Sequence, residues 1–367
     1  MGRKLKYGNM TLYIIIALGL ILSLIAPRIA PLIEAGYSQS MYKWLVRPYS
    51  QMTGFLPFSL AEVVVVAATL FAVYTVVQLI RKLTRAPQKT LRKAPKALAK
   101  AALLTALVYV AFNMLWGLNY SRLSFAQISG LPVQPGTAAE LKNLALTLTN
   151  KANALRQQLD EDSQGIMVLS DGVRGALARA DKGYGKAAMQ YPELGGAYGS
   201  PKGVFLSRYW SYTGITGMYF PFTAEANVNI DIPHFMLPST ATHEMAHQRG
   251  FAREDEANFL AYLTCILHPD VDFQYSGTVL ALLNAMNALY RADPDAYKEV
   301  RVLYSDALNR DLLGWSEYWR RFEGPVEQAS NRINDSYLKA NRQQDGVQSY
   351  GRMVDLLLAH YRTLGTQ

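Results

Sequence analysis

The chain of 367 residues contains one cysteine, no internal repeat and no long low-complexity segment. A single cysteine excludes an intrachain disulfide, so any part of the chain outside a membrane has to be stabilised by its own core. Cys265 lies in the apolar run AYLTCIL, which favours a buried core residue and argues against a cysteine nucleophile. The lack of repeats excludes a repeat architecture.

Acidic residues are missing from the segment 81–100, which holds eight lysines or arginines and supplies much of the formal net charge of +9. Basic residues between apolar segments set membrane topology and attract anionic lipid headgroups. These two roles account for the positive charge, so we predict no nucleic-acid partner.

Long apolar runs fill the first third of the chain, at residues 12–33, 58–80 and 101–118. Each approaches the roughly 20 residues that a helix needs to cross a bilayer. The first run is long, lacks a clear cleavage site and is followed by two more runs, which argues against a signal peptide. We therefore predict three retained transmembrane helices and a lipid bilayer as partner.

The distribution of positive charge predicts the orientation of these helices. The N-terminal residues MGRKLKYG and the basic segment 81–100, predicted to be a loop, are expected to be cytoplasmic, and the less basic loop predicted at 34–56 is expected outside. Three crossings then place everything after Asn119 outside. We predict a membrane domain at 1–118 and an extracytoplasmic domain at 119–367 of a multi-pass protein in the cell membrane.

Residues 243–247 read HEMAH, an HExxH motif. On a helix, residues i and i+4 share a face, so His243 and His247 can bind one metal ion, and zinc accepts such nitrogen ligands. Glu244 lies beside them, where its carboxylate can act as a general base towards water. Ser239 is predicted to cap the start of this helix, and Gly250 to end it.

The run EDEANFLAYL, which starts at Glu254, is typical of a second helix. A tight turn between the two helices would fold them into an antiparallel hairpin with Glu254 level with His247, and Asn258 level with His243. Glu254 would then be the third ligand, and Asn258 would accept a hydrogen bond from the His243 ring. A slightly shifted turn would bring Glu256 to the metal instead.

The run HEMAHQRGFAREDEANFLAYL, with GITGMYFPFTAEANVNI upstream, resembles a family of bacterial multi-pass membrane proteins that carry a domain of unknown function. That family is similar to zincin-type metallopeptidases with a glutamate ligand. In thermolysin-like and CAAX-protease-like enzymes, the third ligand follows an ExxxD pattern on a second helix. The matching positions here are Glu254 and Asn258, with asparagine in place of aspartate, and the linker is shorter than in thermolysin. The resemblance implies a peptidase.

The predicted fold is mainly α: three transmembrane helices followed by an α-rich zincin-like extracytoplasmic domain with a small β-sheet. Residues 139–160 and 171–187 are predicted to be helices, and most of the chain after Asp272 shows helical spacing of apolar residues. Residues 224–232 alternate and predict a strand, which the resemblance places along the cleft, paired with extended substrate.

A hydrolytic zinc site also needs a donor to the oxyanion that forms on the attacked carbonyl. The sequence offers four candidates, Tyr212, Tyr219, His234 and Tyr350, and does not decide among them.

The resulting hypothesis is a zinc metallopeptidase that cleaves a protein or peptide substrate at the cell envelope. His243, His247 and Glu254 hold the zinc, and Glu244 is the catalytic base. The alternative is a metal-binding sensor or scaffold without catalytic activity, and a membrane protein without metal is a third possibility. Metal content separates the third from the other two.

Overall fold

The computed structural model describes residues 2–341, 343, 346 and 352–364. Its first third consists of helices joined end to end. These are α1 (Gly2–Ile25), a 3₁₀ turn (Ala26–Ile29), α2 (Ala30–Leu32), a π-helix (Ile33–Met41), α3 (Tyr42–Gly54), α4 (Leu60–Arg85) and α5 (Pro87–Leu115).

Three of these helical stretches are long and apolar enough to cross a membrane, namely Leu12–Gly54, Leu60–Arg85 and Pro87–Leu115. They contain most of the predicted runs, so the expectation of three membrane helices is confirmed at this level. Helix α4 has 26 residues, about 39 Å at 1.5 Å per residue, which exceeds a hydrocarbon core of about 30 Å. The sides to which the helix ends face stay a prediction.

Two segments that we expected to be loops are helical. The basic segment 81–100 is divided between α4 and α5, with a break at Ala86 and Pro87 in the first turn of α5. Proline is favoured there because its missing N–H has no helical partner in the first turn. The segment 34–56 is also helical as far as Gly54, so it is the last part of the helical stretch Leu12–Gly54.

The rest of the described chain is also mainly helical. After a 3₁₀ turn at Gly117–Ser121, the helices are α6 (Phe125–Ser129), α7 (Ala138–Arg156), α8 (Gly172–Arg179), α9 (Asp181–Ala187), α10 (Ser207–Ser211), α11 (Leu237–Gln248), α12 (Glu254–Leu267), α13 (Val271–Ala292), α14 (Pro294–Arg301), α15 (Asp306–Arg320), α16 (Pro325–Ala340) and α17 (Met353–Leu364). The predicted helix at 139–160 is α7, and the one at 171–187 is divided into α8 and α9.

The core of this part lies between α7, α11, α12, α13 and α17, whose apolar faces are buried together. Cys265 on α12 is fully buried in it, as expected, and burial raises the pKa of its thiol to about 12. The thiol therefore stays protonated, which agrees with a packing role.

A three-stranded sheet packs against α11. It consists of β1 (Lys202–Gly203), β2 (Gly217–Phe220) and β3 (Glu225–Val228) in the order β1-β3-β2. Strand β1 is parallel to β3, and β2 is antiparallel to it. The predicted strand at 224–232 is thus shorter than expected, and it forms the centre of the sheet.

The central strand also holds the start of α4. The Glu225 carboxylate accepts hydrogen bonds from the backbone N–H groups of Leu60 (3.1 Å) and Ala61 (2.7 Å). A carboxylate at this position satisfies first-turn N–H groups and interacts favourably with the helix dipole. The sheet is therefore attached directly to the end of a helix that could cross the membrane. The domain boundary at residue 118 stays a prediction.

A buried ion pair connects α7 and α15. The Arg156 guanidinium Nε lies 2.7 Å from Oδ2 of Asp311, which is fully buried. The same carboxylate accepts hydrogen bonds from the Tyr275 hydroxyl (2.6 Å) and the Met167 backbone N–H (2.8 Å). Removing the carboxylate would leave the buried Arg156 charge with the half-exposed Glu161 as its remaining ion-pair partner among the described residues.

We predict that Asp311→Ala destabilises the protein by about 3–5 kcal/mol, the usual cost of removing one partner from a buried ion pair. The measurement is the thermal unfolding midpoint of the full chain in detergent. The control is Lys298→Ala, which breaks an exposed pair with Asp295 and should leave the midpoint unchanged. Equal midpoint shifts in the two variants would contradict the prediction.

Candidate metal centre

The HExxH motif occupies the second half of α11. Gly250 ends the helix as predicted, since its φ is +84° and its N–H donates to the His247 carbonyl (2.9 Å). The prediction that Ser239 caps the helix is wrong. Ser239 lies inside the first turn, where its hydroxyl donates to the Met236 carbonyl (3.0 Å) and its N–H donates to Ser276 (2.9 Å). The acceptor for a first-turn N–H of α11 is therefore the Ser276 hydroxyl of the neighbouring helix α13, and not the local side chain that the sequence predicted.

The structure brings His243, His247 and Glu254 together. Glu254 is the first residue of α12, and its Oε2 lies 3.2 Å from His243 Nε2 and 3.5 Å from His247 Nε2. The three candidate ligand atoms all lie within 4.8 Å of one another. The two helices and the turn at Gly250 therefore give the arrangement that residue spacing predicted.

The Glu254 carboxylate fits a metal ligand better than a hydrogen-bonding partner. Its Oε2 atom is buried and forms no hydrogen bond to any described residue, despite its closeness to both rings. A buried oxygen normally has a partner, so this one calls for an explanation. Two imidazole nitrogens and a carboxylate oxygen around one point form a donor set that could hold a metal ion.

A backbone carbonyl sets the orientation of the His247 ring. Nδ1 of His247 lies 2.7 Å from the Phe251 carbonyl oxygen, so it donates its hydrogen there and leaves Nε2 free to face Glu254. We did not predict this partner, which lies in the turn after the motif. Asn258 is buried one helical turn after Glu254, and its predicted hydrogen bond to His243 stays a prediction.

Glu256, the alternative ligand, is used elsewhere. Its Oε1 accepts a hydrogen bond from the Phe125 backbone N–H (2.7 Å) and lies 2.7 Å from Nη2 of Arg253. These contacts attach α12 to the start of α6. The structure therefore brings Glu254, and not Glu256, to the histidines.

Strand β2 lies directly against Glu244, the predicted general base. A Cβ atom at Gly217 would be only 2.4 Å from Glu244 Oε1, so the backbone of β2 approaches this buried carboxylate closely. Within the described sheet β2 is an edge strand, whereas β3 is paired on both sides. The strand along the site is thus β2, which corrects our expectation for residues 224–232. Alternation identifies a strand but does not reveal its neighbours.

The charges of the site influence one another strongly. Burial alone would lower the pKa of His247, but the Glu254 carboxylate outweighs this effect and raises that pKa to about 9. Burial alone would raise the pKa of Glu254, but His247 and His243 hold it well below its ordinary value. Burial raises the pKa of Glu244, although the two histidines act in the opposite direction. Glu254 is therefore an anion, while Glu244 has an increased proton affinity, as suits a general base.

The structure places the four candidates for an oxyanion donor in different surroundings. The Tyr219 hydroxyl is buried and paired with the Tyr42 hydroxyl (3.2 Å), and Nδ1 of His234 accepts from the Leu169 N–H (3.2 Å). Tyr212 packs edge-on against Phe322. Tyr350 lies outside the described residues. None of the first three is placed by these contacts at the histidines.

Tyr337, which the sequence analysis did not single out, lies near the proposed ligands. The Tyr120 hydroxyl donates to the Tyr337 hydroxyl (3.3 Å). Partial burial and the negative charge of Glu254 raise the pKa of Tyr337 to about 12, so its phenol stays protonated. With 23 tyrosines in the chain, no sequence signal distinguished this one.

Three side chains from the first third of the chain bind the C-terminal end of α11. Trp116 Nε1 donates to the His247 carbonyl (3.1 Å), and the Tyr42 hydroxyl donates to the Gln248 carbonyl (3.0 Å). Arg122 Nη1 donates to the Gly250 carbonyl (3.0 Å). These bonds satisfy carbonyls that the end of a helix leaves without partners.

We predict that Gly250→Ala destabilises the protein more than Gly172→Ala. Both glycines have positive φ, which costs a residue with a side chain about 1–2 kcal/mol. A Cβ at Gly250 would also lie 3.0 Å from both Asn119 and Tyr42, whereas a Cβ at Gly172 meets nothing within 4 Å. Thermal unfolding of both variants tests this, and equal midpoints would show that the turn is not tightly packed.

The chain was compared with known protein families, curated proteins and solved structures. No curated protein and no solved structure matches it. The family described as "Protein of unknown function (DUF3810)" matches residues 37–358, which include α3, both later membrane stretches and the whole candidate metal centre. This match covers most of the chain, and the protein therefore belongs to the DUF3810 family.

Proposed function

We propose that the protein is a membrane-anchored zinc metallopeptidase that hydrolyses peptide bonds at the cell envelope. The observation that carries the proposal is the convergence of His243, His247 and Glu254 beside the buried carboxylate of Glu244. A metal site with these three ligands from the described residues leaves a position open for chemistry. The sequence spacing HExxH gives the same assignment of roles.

The proposed zinc ligands are His243, His247 and Glu254. Zinc supplies Lewis-acid chemistry, which lowers the pKa of water and polarises a carbonyl group. Glu244 takes the proton from the attacking water and later delivers it to the leaving amine.

Strand β2 is the proposed site for the substrate backbone. It is an edge strand of the described sheet, and the lack of a side chain at Gly217 allows its backbone to approach Glu244 closely. An extended peptide can add to such an edge by main-chain hydrogen bonds. This would place a peptide bond of the substrate beside the general base.

The zincin relationship is also part of the proposal. It is supported by the HExxH helix, by a glutamate at the start of the following helix, and by an edge strand beside the motif. The chain differs in having Asn258 where the glutamate-ligand enzymes have aspartate, and in a connection of only residues 249–253 between the helices. The outward-facing orientation of the site follows from the positive-inside rule.

We predict that the purified full chain holds about one zinc ion, as a site with three protein ligands should. Glu254→Gln should lose most of it, because the amide is a poorer ligand than a carboxylate. The matched control is Glu256→Gln, since both glutamates are buried in the first turn of α12. Metal analysis after purification without chelators measures both variants.

Zinc loss in Glu256→Gln with zinc retained in Glu254→Gln would reassign the third ligand. Absence of zinc from the wild-type chain would remove the metallopeptidase proposal. His247→Ala should also lose the metal, and it tests the motif independently of α12.

We predict that Glu244→Gln retains zinc and loses peptide hydrolysis by a factor of about 10² or more, the usual contribution of a general base. The assay uses the full chain in detergent with a library of internally quenched fluorescent peptides. Full activity in the variant would exclude Glu244 from the mechanism. A zinc-bound wild-type chain that cleaves no peptide would favour a metal-binding sensor or scaffold instead.

A further inference from the structure

Helix α3 buries Tyr42 and Val46 against the protein, but it also carries large apolar side chains on the face that points away from the protein. Trp44 is 79% exposed and Phe55, just after the helix, is 87% exposed. The exposed apolar residues repeat at helical spacing and form one stripe, which we call the α3 stripe: Met41, Trp44, Leu45, Met52 and Phe55. A surface helix in water normally turns such a stripe towards the core.

The polar side chains of α3 point towards the protein. Lys43 donates to the Glu193 carbonyl (2.8 Å), Arg47 to the Gly195 carbonyl (2.9 Å) and Gln51 to the Ala197 carbonyl (3.0 Å). These three residues are spaced by four, so they form one polar face bound to the segment 193–197. The α3 stripe lies apart from this polar face and from the buried side chains of Tyr42 and Val46. A contiguous stripe of large exposed apolar side chains is unusual on a surface in water, which indicates that this outer face meets another phase.

The stretch Leu12–Gly54 bends between α1 and α3, so the part that could cross the membrane ends before α3. Gly19 packs against Val110 of α5, and the Tyr37 hydroxyl donates to the Met114 carbonyl (3.0 Å). Val110 and Met114 are about 6 Å apart along their helix, whereas residues 19 and 37 would be about 27 Å apart in a straight one. The chain therefore leaves the direction of α1 between these residues.

Both ends of α3 lie close to a membrane stretch. The segment between the first and second crossings has to begin and end at the same membrane surface, whichever side that is. Only residues 55–59 separate α3 from α4. A 13-residue helix of about 20 Å whose two ends lie near one surface runs along that surface.

We propose that α3 lies in the membrane–water interface, with the α3 stripe buried among lipid headgroups and acyl chains. Helices with a polar face on one side and tryptophan, phenylalanine and leucine on the other bind in this way. Tryptophan in particular favours the headgroup level. The partner that covers the α3 stripe is thus the same lipid bilayer that α4 could cross.

This position would hold the candidate metal centre at the membrane surface. Tyr42 is the first residue of α3, and its hydroxyl donates to the Gln248 carbonyl at the end of the motif helix. Lys202, at the start of β1, also donates to the carbonyls of Thr53 and Phe58 at the other end of α3. The interfacial helix is therefore connected to both the motif helix and the sheet.

The test uses the full chain with an environment-sensitive fluorophore on an introduced cysteine. Met52→Cys places the label in the α3 stripe, and Phe55→Cys is a second variant in case the first does not fold. Val302→Cys is the control, since Val302 is also a highly exposed apolar residue but lies after α14. The native Cys265 is fully buried, so the unsubstituted chain should take up no label.

The labelled chains are reconstituted in phosphatidylcholine–phosphatidylglycerol nanodiscs. We expect lipids that carry a nitroxide near the headgroup to remove most of the fluorescence at Met52 and to leave Val302 unchanged. Aqueous iodide should do the opposite. Iodide quenching at Met52 equal to that at Val302, without lipid quenching, would overturn the proposal. Protection of Met52 from both quenchers would also overturn it, because a second protein copy would then cover the stripe.

Discussion

Hydrogen bonds to the end of the HExxH helix hold the candidate site in place. Trp116, Tyr42 and Arg122 donate to three carbonyls between His247 and Gly250. The next residue, Phe251, orients the ring of His247 through its carbonyl, and the Arg122 guanidinium lies 4.1 Å from the centre of the Phe251 ring. The geometry of the proposed ligands thus depends on residues that precede the motif by more than a hundred positions.

The ion pair between Arg122 and Glu34 fixes the position of one of these hydrogen-bond donors. Two guanidinium nitrogens bind the two carboxylate oxygens at 2.7 and 2.8 Å, and the pair is buried. Burying two charges costs about as much as their attraction returns, so the pair adds little net stability. We interpret the role of the pair as positional, because Glu34 fixes the guanidinium group with which Arg122 donates to the Gly250 carbonyl. Loss of zinc in Glu34→Gln would support this hypothesis.

Sequence reasoning found the features that depend on local spacing. The i,i+4 histidines, the stop at Gly250 and the return of Glu254 all follow from helix geometry. It missed features set by tertiary contacts, such as the edge position of β2 and the backbone N–H of Ser239, which donates to Ser276 of α13. The helical character of residues 81–100 was missed because positive charge reports on topology and says little about secondary structure.

The same contacts determine which of the hydrogen bonds at the candidate site would remain if the part of the chain after residue 118 were separated from the rest. It would lose Tyr42 and Trp116, and Arg122 would lose the carboxylate of Glu34. Carbonyls at the end of α11 would then be left to water, and the unpaired guanidinium would no longer be held over Phe251. Because Phe251 orients His247, the loss would reach the proposed ligands themselves. The helices that could cross the membrane are therefore part of the candidate site, in addition to any role as an anchor.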